Sequence, residues 1–230
     1  MDGIIPIALI HVLFFRKRLP KMLRKEHVPI FYLLYALFSI LLLSILTYAV
    51  MHSQTVQMDK VIMSWFHTLH TVTLDNFFKI LTQLGSLWLL LPLFTLLLLR
   101  EGYRHHSKQI FWVSSVFLFS LLTARIMKYL IGRERPDFFQ SIIPLPSDPS
   151  FPSAHTAQAF SFVLALWLIF YASGHPLRTS LFLLLLLLAV LVALSRIYLQ
   201  VHFPSDVAAG VLIALFWASV IFYFIQKDKK

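Results

Sequence analysis

The chain has 230 residues, of which 59% are hydrophobic and 13% are charged, and its mean hydropathy is +0.78. Soluble domains carry roughly 45–50% apolar and about 25% charged residues, so this composition excludes a water-soluble globule, and it equally excludes a disordered chain. The net charge is +10, but the basic residues lie between apolar runs, which excludes a nucleic-acid-binding face and favours contact with a membrane surface. The composition predicts an integral membrane protein.

Six apolar segments, each close to the ~20 residues that a helix needs to cross a bilayer, predict six transmembrane helices. In chain order they are 28–50, 80–99, 110–131, 154–173, 179–195 and 207–225. The expected fold class is an all-α, polytopic membrane bundle with short interfacial helices. Because no internal repeat or low-complexity linker divides the sequence, residues 1–230 are expected to form a single domain.

Two segments outside the spans are predicted to lie on the membrane surface. Residues 1–27 begin with a short apolar run followed by basic residues, the reverse of the order in a signal peptide. Residues 51–79 form an outward loop with an apolar stripe at helical spacing, typical of an interfacial helix that serves as structural cover or as a substrate gate. The stripe consists of Met58, Val61, Ile62, Trp65, Phe66 and Leu69.

The distribution of basic residues predicts the orientation in the membrane. Thirteen of the 20 Lys and Arg residues fall on the side of the two termini, and seven fall on the other side. Because basic residues accumulate on the cytoplasmic side, we expect both termini in the cytoplasm and the loops after the first, third and fifth spans outside. The expected location is the cytoplasmic (inner) membrane, with these loops facing the periplasm or the exterior.

Ionisable residues are concentrated at the outer ends of the spans. Such residues are costly within a membrane and therefore mark functional sites. They are Arg125, Lys128, Arg133, Arg135, His155, Arg196, His202 and Asp206. Several cations that converge at one membrane surface form a site for an oxyanion, of which phosphate is the first candidate.

The spacing within this cluster suggests how an anion is held. Lys128 and Arg135 are two helical turns apart and share a face if the helix continues past Gly132. Ser153 has the character of an N-cap, so the free amides of Ala154 and His155 at the following helix start would face an anion.

Two histidines and one acid supply groups for catalysis. Asp206 lies four residues after His202, within reach of an imidazole nitrogen, and an acid in that place fixes the tautomer and raises the nucleophilicity of the other nitrogen. His155 remains free to donate a proton to a leaving group. A nucleophile, an orienting acid, a proton donor and a set of cations describe phosphoryl transfer without a metal.

In the order and spacing of these residues, the sequence resembles the type 2 phosphatidic acid phosphatase superfamily. This superfamily includes membrane lipid phosphatases, glucose-6-phosphatase and soluble vanadium haloperoxidases. The resemblance rests on a three-part signature between residues 128 and 206. Its parts are Lys128, six residues and Arg135-Pro136; then Pro152-Ser153-Ala154-His155; then Ser195-Arg196, five residues, His202, three residues and Asp206.

The resemblance implies a role for each signature residue. His202 is implied as the nucleophile that forms a phosphohistidine, Asp206 as its partner and His155 as the acid for the leaving group. The phosphoryl oxygens are implied to bind Lys128, Arg135, Arg196, Ser153 and the amide of Ala154. The family usually has glycine at the position of Ala154; alanine can adopt the negative φ of a helix start, and its methyl group is expected to narrow the pocket.

Arg125 lies one helical turn before Lys128 and outside the signature. Two roles are open for its side chain. It is either an accessory contact to a second phosphate or headgroup, or an ordinary arginine that extends to the membrane surface.

The expected function is that of a lipid phosphate phosphatase, without metal or cofactor, at the outer leaflet of a bacterial-type cytoplasmic membrane. The resemblance suggests undecaprenyl diphosphate and phosphatidylglycerophosphate as substrates. A lipid A phosphatase or phosphotransferase is the alternative within the enzyme class, and a lipid or anion transporter is the alternative outside it. A transport route would place ionisable groups at several depths, so their clustering favours an enzyme. The expected partners are the lipid substrate and membrane lipids, without nucleic acid or an obligate protein partner.

Overall fold

The computed structural model describes residues 28–103, 107–173 and 178–227, and within these ranges every regular element is helical. The predicted surface segment 1–27 lies outside the described residues. The helices are α1 (Val28–Met51), α2 (Val56–Thr68), α3 (Val72–Leu81), a 3₁₀ turn (Thr82–Gly85), α4 (Leu87–Tyr103), α5 (Ser107–Ile131), α6 (Ala154–Ser173), α7 (Arg178–Tyr198) and α8 (Pro204–Lys227). The all-α prediction is confirmed.

Four helices of the described chain, α1, α5, α7 and α8, are long and apolar enough to cross a membrane. The bent pair of α3 and α4 makes a fifth candidate, and α6 is a shorter apolar helix over Ala154–Leu168. Large apolar side chains cover the outside of these helices, as at Leu34, Phe38 and Leu41 of α1, which are 53%, 59% and 57% exposed. This outward apolar surface suits lipid and not water. The chain is a multi-pass integral membrane protein.

Residues 80–99, predicted as one of the six transmembrane helices, do not form one continuous helix. The chain bends by 41° between α3 and α4 at the 3₁₀ turn, and Ser86 has an extended backbone with ψ of 142°. The bend brings Gly85 so close to α7 that a Cβ at this position would lie 2.4 Å from Cγ1 of Val192. Hydropathy alone cannot reveal the break, because the residues on both sides of it are apolar.

Helix α6 occupies the centre of the bundle and packs against α4, α5, α7 and α8. Its described side chains from Thr156 to Leu168 are all buried. Small residues allow close approach at its start, where a Cβ at Gly210 of α8 would lie 2.7 Å from the carbonyl oxygen of Ser153. The first turns of α6 and α8 are thereby held side by side.

Residues 51–79, which were predicted to form an outward loop, contain the predicted amphipathic helix, α2. Met58, Val61 and Trp65 of its apolar stripe are 56%, 57% and 58% exposed, whereas Phe66 is buried. The face that lies against the protein also contains the apolar Met63, and there Asp59 is completely buried. Most of the apolar stripe is therefore exposed on the outside of the protein, while one carboxylate of the helix is buried against it.

Helix α5 ends at Ile131 and does not continue to Arg135, so the two basic residues of the first signature element do not share a helical face. Gly132 adopts φ of +64°, and its amide donates to the carbonyl of Lys128 at 2.9 Å. This left-handed cap is a position that glycine occupies with little strain. The chain turns away from α5 here and reaches Arg135 through an irregular loop.

Candidate active site

His202 and Asp206 lie at the centre of a buried polar cluster where α5, α6, α7 and α8 meet. The tight turn between α7 and α8 positions the histidine, with Gln200 at φ of +59° and the amide of His202 donating to the carbonyl of Arg196 at 3.2 Å. The ring Nδ1 lies 3.2 Å from Oδ2 of Asp206, and Nε2 lies 3.3 Å from Nη1 of Arg135. An Nδ1–H donated to Asp206 leaves the Nε2 lone pair directed at the cations.

Three further groups hold the carboxylate of Asp206 in place. Ser150 donates a short hydrogen bond to Oδ2, and the amide of Phe203 donates to the same oxygen at 3.0 Å. Arg133 donates to Oδ1 at 2.7 Å. Because Asp206 is completely buried, these donors replace the water that an exposed carboxylate would bind.

Arg133 joins Asp206 to a second buried carboxylate, Asp59 of α2. Its Nη2 lies 2.8 Å from Oδ2 of Asp59, and its guanidinium carbon lies 3.8 Å from the ring centre of Phe203. Asp59 also accepts from the amide and hydroxyl of Ser205 at 2.9 and 2.6 Å. The interfacial helix is thus tied through one arginine to the acid that orients His202.

Lys128 and Arg135 converge from α5 and from the following loop. Nζ of Lys128 lies 3.1 Å from Oδ2 of Asp148 and donates to the carbonyl of Pro149. Nη2 of Arg135 lies 2.7 Å from Oδ1 of the same Asp148. The two cations therefore lie close together, although α5 does not carry them both.

Arg196 approaches the cluster from the last turn of α7 and is 2% exposed. Its Nη1 donates to Oγ1 of Thr82 at 2.7 Å, so the bend between α3 and α4 supplies its partner. Within the described residues, the buried Nε of Arg196 has no hydrogen-bond partner. A buried N–H without a partner is able to donate a hydrogen bond to a bound anion that is not part of the chain.

The start of α6 brings Ser153, Ala154 and His155 to the same cluster. Ser153 precedes the helix, accepts from the amide of Ala157 at 3.1 Å and donates its own amide to the carbonyl of Asp206 at 3.0 Å. Ala154 has a negative φ as expected, since the described non-glycine residues with positive φ are Ser53 and Gln200. The half-buried His155 lies near enough to Arg196 and His202 to interact with both electrostatically.

Electrostatics in the loops favours a neutral imidazole and an ionised acid. Burial, followed by the charges of Arg196 and Arg135, lowers the pKa of His202 well below its usual range. Burial raises the pKa of Asp148, but Lys128 and Arg135 outweigh this effect and leave the pKa below its usual value. At neutral pH, His202 is therefore uncharged and carries a lone pair on Nε2, while Asp148 carries a negative charge.

The structure brings together the eight signature residues predicted from the sequence, which are Lys128, Arg135, Ser153, Ala154, His155, Arg196, His202 and Asp206. Arg125 is not among them, because it is exposed on α5 with its guanidinium carbon 6.0 Å from the ring centre of Tyr129.

Three residues that the sequence reasoning did not single out also belong to the cluster: Asp59, Asp148 and Ser150. Arg133, which was predicted only as one of the ionisable residues of the cluster, is paired with both buried acids. The sequence could have indicated Asp59 as a candidate site residue, because it is an acid within a predicted amphipathic helix of a chain with only ten acidic residues. Arg133, Asp148 and Ser150 lie in an irregular loop, where spacing indicates no partner.

Comparisons with known proteins show the family to which the chain belongs. The family model of the PAP2 superfamily matches residues 109–230. The decaprenylphosphoryl-5-phosphoribose phosphatase of Mycobacterium tuberculosis is 43% identical over 90 residues, which are 38% of this chain and 45% of that protein's length. The undecaprenyl-diphosphatase of Sulfolobus acidocaldarius is 28% identical over 156 residues, covering 65% of this chain and 69% of that one.

A solved structure shares the arrangement of helices. The crystal structure of a transmembrane PAP2-type phosphatidylglycerolphosphate phosphatase from Bacillus subtilis superposes with a TM-score of 0.72 at 25% identity, covering 89% of this chain and 99% of that one. Since the family model spans more than half of the sequence and includes the histidine–aspartate pair with its surrounding cations, the chain belongs to the PAP2 superfamily.

Proposed function

We propose that this protein is a membrane lipid phosphatase that removes a phosphate group from a lipid through a phosphohistidine at His202. The observation that carries the proposal is the placement of this one imidazole. Its Nδ1 is held 3.2 Å from Asp206, and its Nε2 lies 3.3 Å from Arg135, among cations able to bind phosphoryl oxygens. A neutral, oriented imidazole facing an anion site is the requirement for nucleophilic attack on phosphorus.

In the first step, Nε2 of His202 attacks the phosphorus atom, and the bond from phosphorus to the leaving oxygen breaks. The imidazole becomes positively charged as its Nε2–P bond forms, and the carboxylate of Asp206 stabilises this charge through Nδ1–H. His155 donates a proton to the leaving alcohol or phosphate oxygen. Lys128, Arg135 and Arg196 bind the equatorial oxygens, whose charge is greatest in the transition state.

In the second step, water attacks the phosphohistidine and inorganic phosphate leaves. His155, deprotonated by the first step, accepts a proton from that water, as microscopic reversibility requires. His202 returns to its neutral form with Nδ1–H still donated to Asp206. The cycle uses side chains and backbone amides throughout and needs no metal.

The substrates we favour are undecaprenyl diphosphate and phosphatidylglycerophosphate. The support comes from relatives whose names specify a polyprenyl diphosphate and a glycerophosphate lipid, and from the apolar outer surface of the bundle next to the site. Lipid A phosphates remain the alternative within the family. A panel of these lipids in detergent, with released phosphate as the readout, separates the candidates, and a transporter would release none.

We also propose that the chain crosses the cytoplasmic membrane six times, with α3 and α4 as one bent span and α6 as a short central one. Both termini then lie in the cytoplasm and the active site faces the periplasm or exterior. The excess of basic residues on the terminal side supports this orientation.

Replacing His202 with alanine is expected to lower the rate of phosphate release by roughly 10⁴-fold or more, because loss of a covalent nucleophile has costs of this order. Phosphate release from a lipid diphosphate in detergent measures the effect. His52→Ala is the matched control, since His52 is an exposed histidine at the end of α1. Near-normal activity of His202→Ala, with the protein folded, contradicts the mechanism.

Arg133→Lys is expected to lower kcat by about tenfold with little change in KM, because lysine cannot bridge Asp59 and Asp206 with one planar group. Arg133 acts here as a positioning residue that holds the partner of the nucleophile. Arg125→Lys, an identical change at an exposed arginine of α5, serves as the control. If kcat of Arg133→Lys equals that of the unaltered protein, the proposed positioning role is wrong.

Activity is expected to persist in excess EDTA, because the attack and the charge stabilisation are assigned to side chains. Orthovanadate is expected to inhibit, since it adopts the five-coordinate geometry of the transition state. Phosphate release with and without each reagent measures both effects. Loss of activity in EDTA with recovery on addition of Mg²⁺ argues for a metal-dependent reaction instead.

Single cysteines test the orientation without background, because the chain contains no native cysteine. A cysteine at exposed Ser147, near the active site, is expected to react with a membrane-impermeant thiol reagent in intact cells. A cysteine at Lys229, near the C-terminus, is expected to react only after lysis. The reverse pattern places the active site in the cytoplasm.

A further inference from the structure

The cations assigned to phosphate binding already hold an anion that belongs to the chain. The carboxylate of Asp148 spans them, with Oδ2 at 3.1 Å from Nζ of Lys128 and Oδ1 at 2.7 Å from Nη2 of Arg135. One carboxylate is thus paired with two of the three basic side chains of the signature. A phosphate group uses the same donors, because both anions present oxygens at similar spacing to an arginine fork.

The surroundings of Asp148 differ from those of the other acids in the cluster. Asp59 and Asp206 are completely buried, whereas the side chain of Asp148 is 35% exposed. Asp148 borders an open hollow of about 350 Å³, together with Arg135 and the loop residues Leu145 and Ser147. The carboxylate therefore has water on one side and room to move from the cations without losing hydration.

The backbone at Asp148 is held independently of its side chain. The carbonyl oxygen of Asp148 accepts from Nε of Arg135 at 3.0 Å, and the carbonyl of the next residue, Pro149, accepts from Lys128. These bonds keep Lys128 and Arg135 attached to the loop when the carboxylate departs. A rotation of the Asp148 side chain is thus sufficient to expose donors for a different anion.

We propose that Asp148 is an internal anion that occupies the phosphate-binding cations between turnovers and that the phosphate group of a substrate must displace it. The inference rests on the proposed function for the identity of the site. The exchange replaces one anion by another, so the cations stay paired at every stage and no buried charge is left uncompensated. After hydrolysis, return of the carboxylate lowers the affinity for inorganic phosphate and favours its release.

The direct test compares the binding of inorganic phosphate to the purified full-length protein and to Asp148→Asn, by calorimetry in detergent. Removal of the competing charge is expected to tighten phosphate binding about tenfold, with a lower KM for the lipid substrate and stronger inhibition by product phosphate. Asp137→Asn is the matched control, because Asp137 is an exposed acid of the same loop. The affinity of this variant for inorganic phosphate is expected to differ less than twofold from that of the unaltered protein.

Weaker binding of inorganic phosphate by Asp148→Asn would indicate a structural role for Asp148. If Asp148 merely holds Lys128 and Arg135 in position, Asp148→Asn binds inorganic phosphate more weakly than the unaltered protein. Unchanged or weaker binding overturns the proposal, and so does an equal gain in Asp137→Asn. Binding is measured without turnover, so absence of lipid hydrolysis refutes the proposed function while leaving this comparison intact.

A second variant tests the charge on a single folded preparation. Asp148→Cys introduces the single cysteine of the chain, and the partly exposed position permits labelling with an anionic or a neutral methanethiosulfonate of similar size. The anionic label is expected to weaken binding of inorganic phosphate several-fold relative to the neutral label. Equal affinities for the two labelled forms contradict the proposal.

Discussion

The structure depends on one requirement, which is that a carboxylate buried at the centre of a membrane bundle must be fully paired. Asp206 meets it through Arg133, Ser150 and the amide of Phe203. Arg133 in turn meets the same requirement for Asp59 of the interfacial helix. Breaking a buried pair costs about 3–5 kcal/mol, because a charge is left without water or partner. These ion pairs therefore connect α2 and α8 with the loop after α5, which carries Arg133.

Irregular backbone within a membrane protein is tolerated only where it is covered by protein or lines a polar cavity. The bend between α3 and α4 follows this rule, since Thr82 at the bend accepts from Arg196 and Gly85 packs against Val192. The left-handed residues Gly132 and Gln200 mark the other two departures from helix beside the cluster. Each interruption of a helix here brings a polar group into the site.

The charges of the site are balanced in two layers. In the buried layer, Asp59 and Asp206 share Arg133 and stay fixed. In the outer layer, Lys128 and Arg135 share the partly exposed Asp148, which is able to exchange with solvent. The buried layer holds Asp206 beside His202, and the outer layer is the one that we propose adjusts affinity for anions. This separation explains why the two sets of acids differ so strongly in exposure.

The membrane character and the all-α class could be predicted from the sequence, because apolar run length and the cost of charge in lipid are local properties, and the signature residues could be identified by resemblance to a known family. The sequence did not determine the break within residues 80–99, the end of α5 at Ile131, or the partners Asp59, Arg133 and Asp148. These depend on contacts between segments far apart in the chain, such as Asp59 with Ser205 and Thr82 with Arg196. Only tertiary packing decides which buried charges meet, since each is stable only beside the partner that the fold delivers.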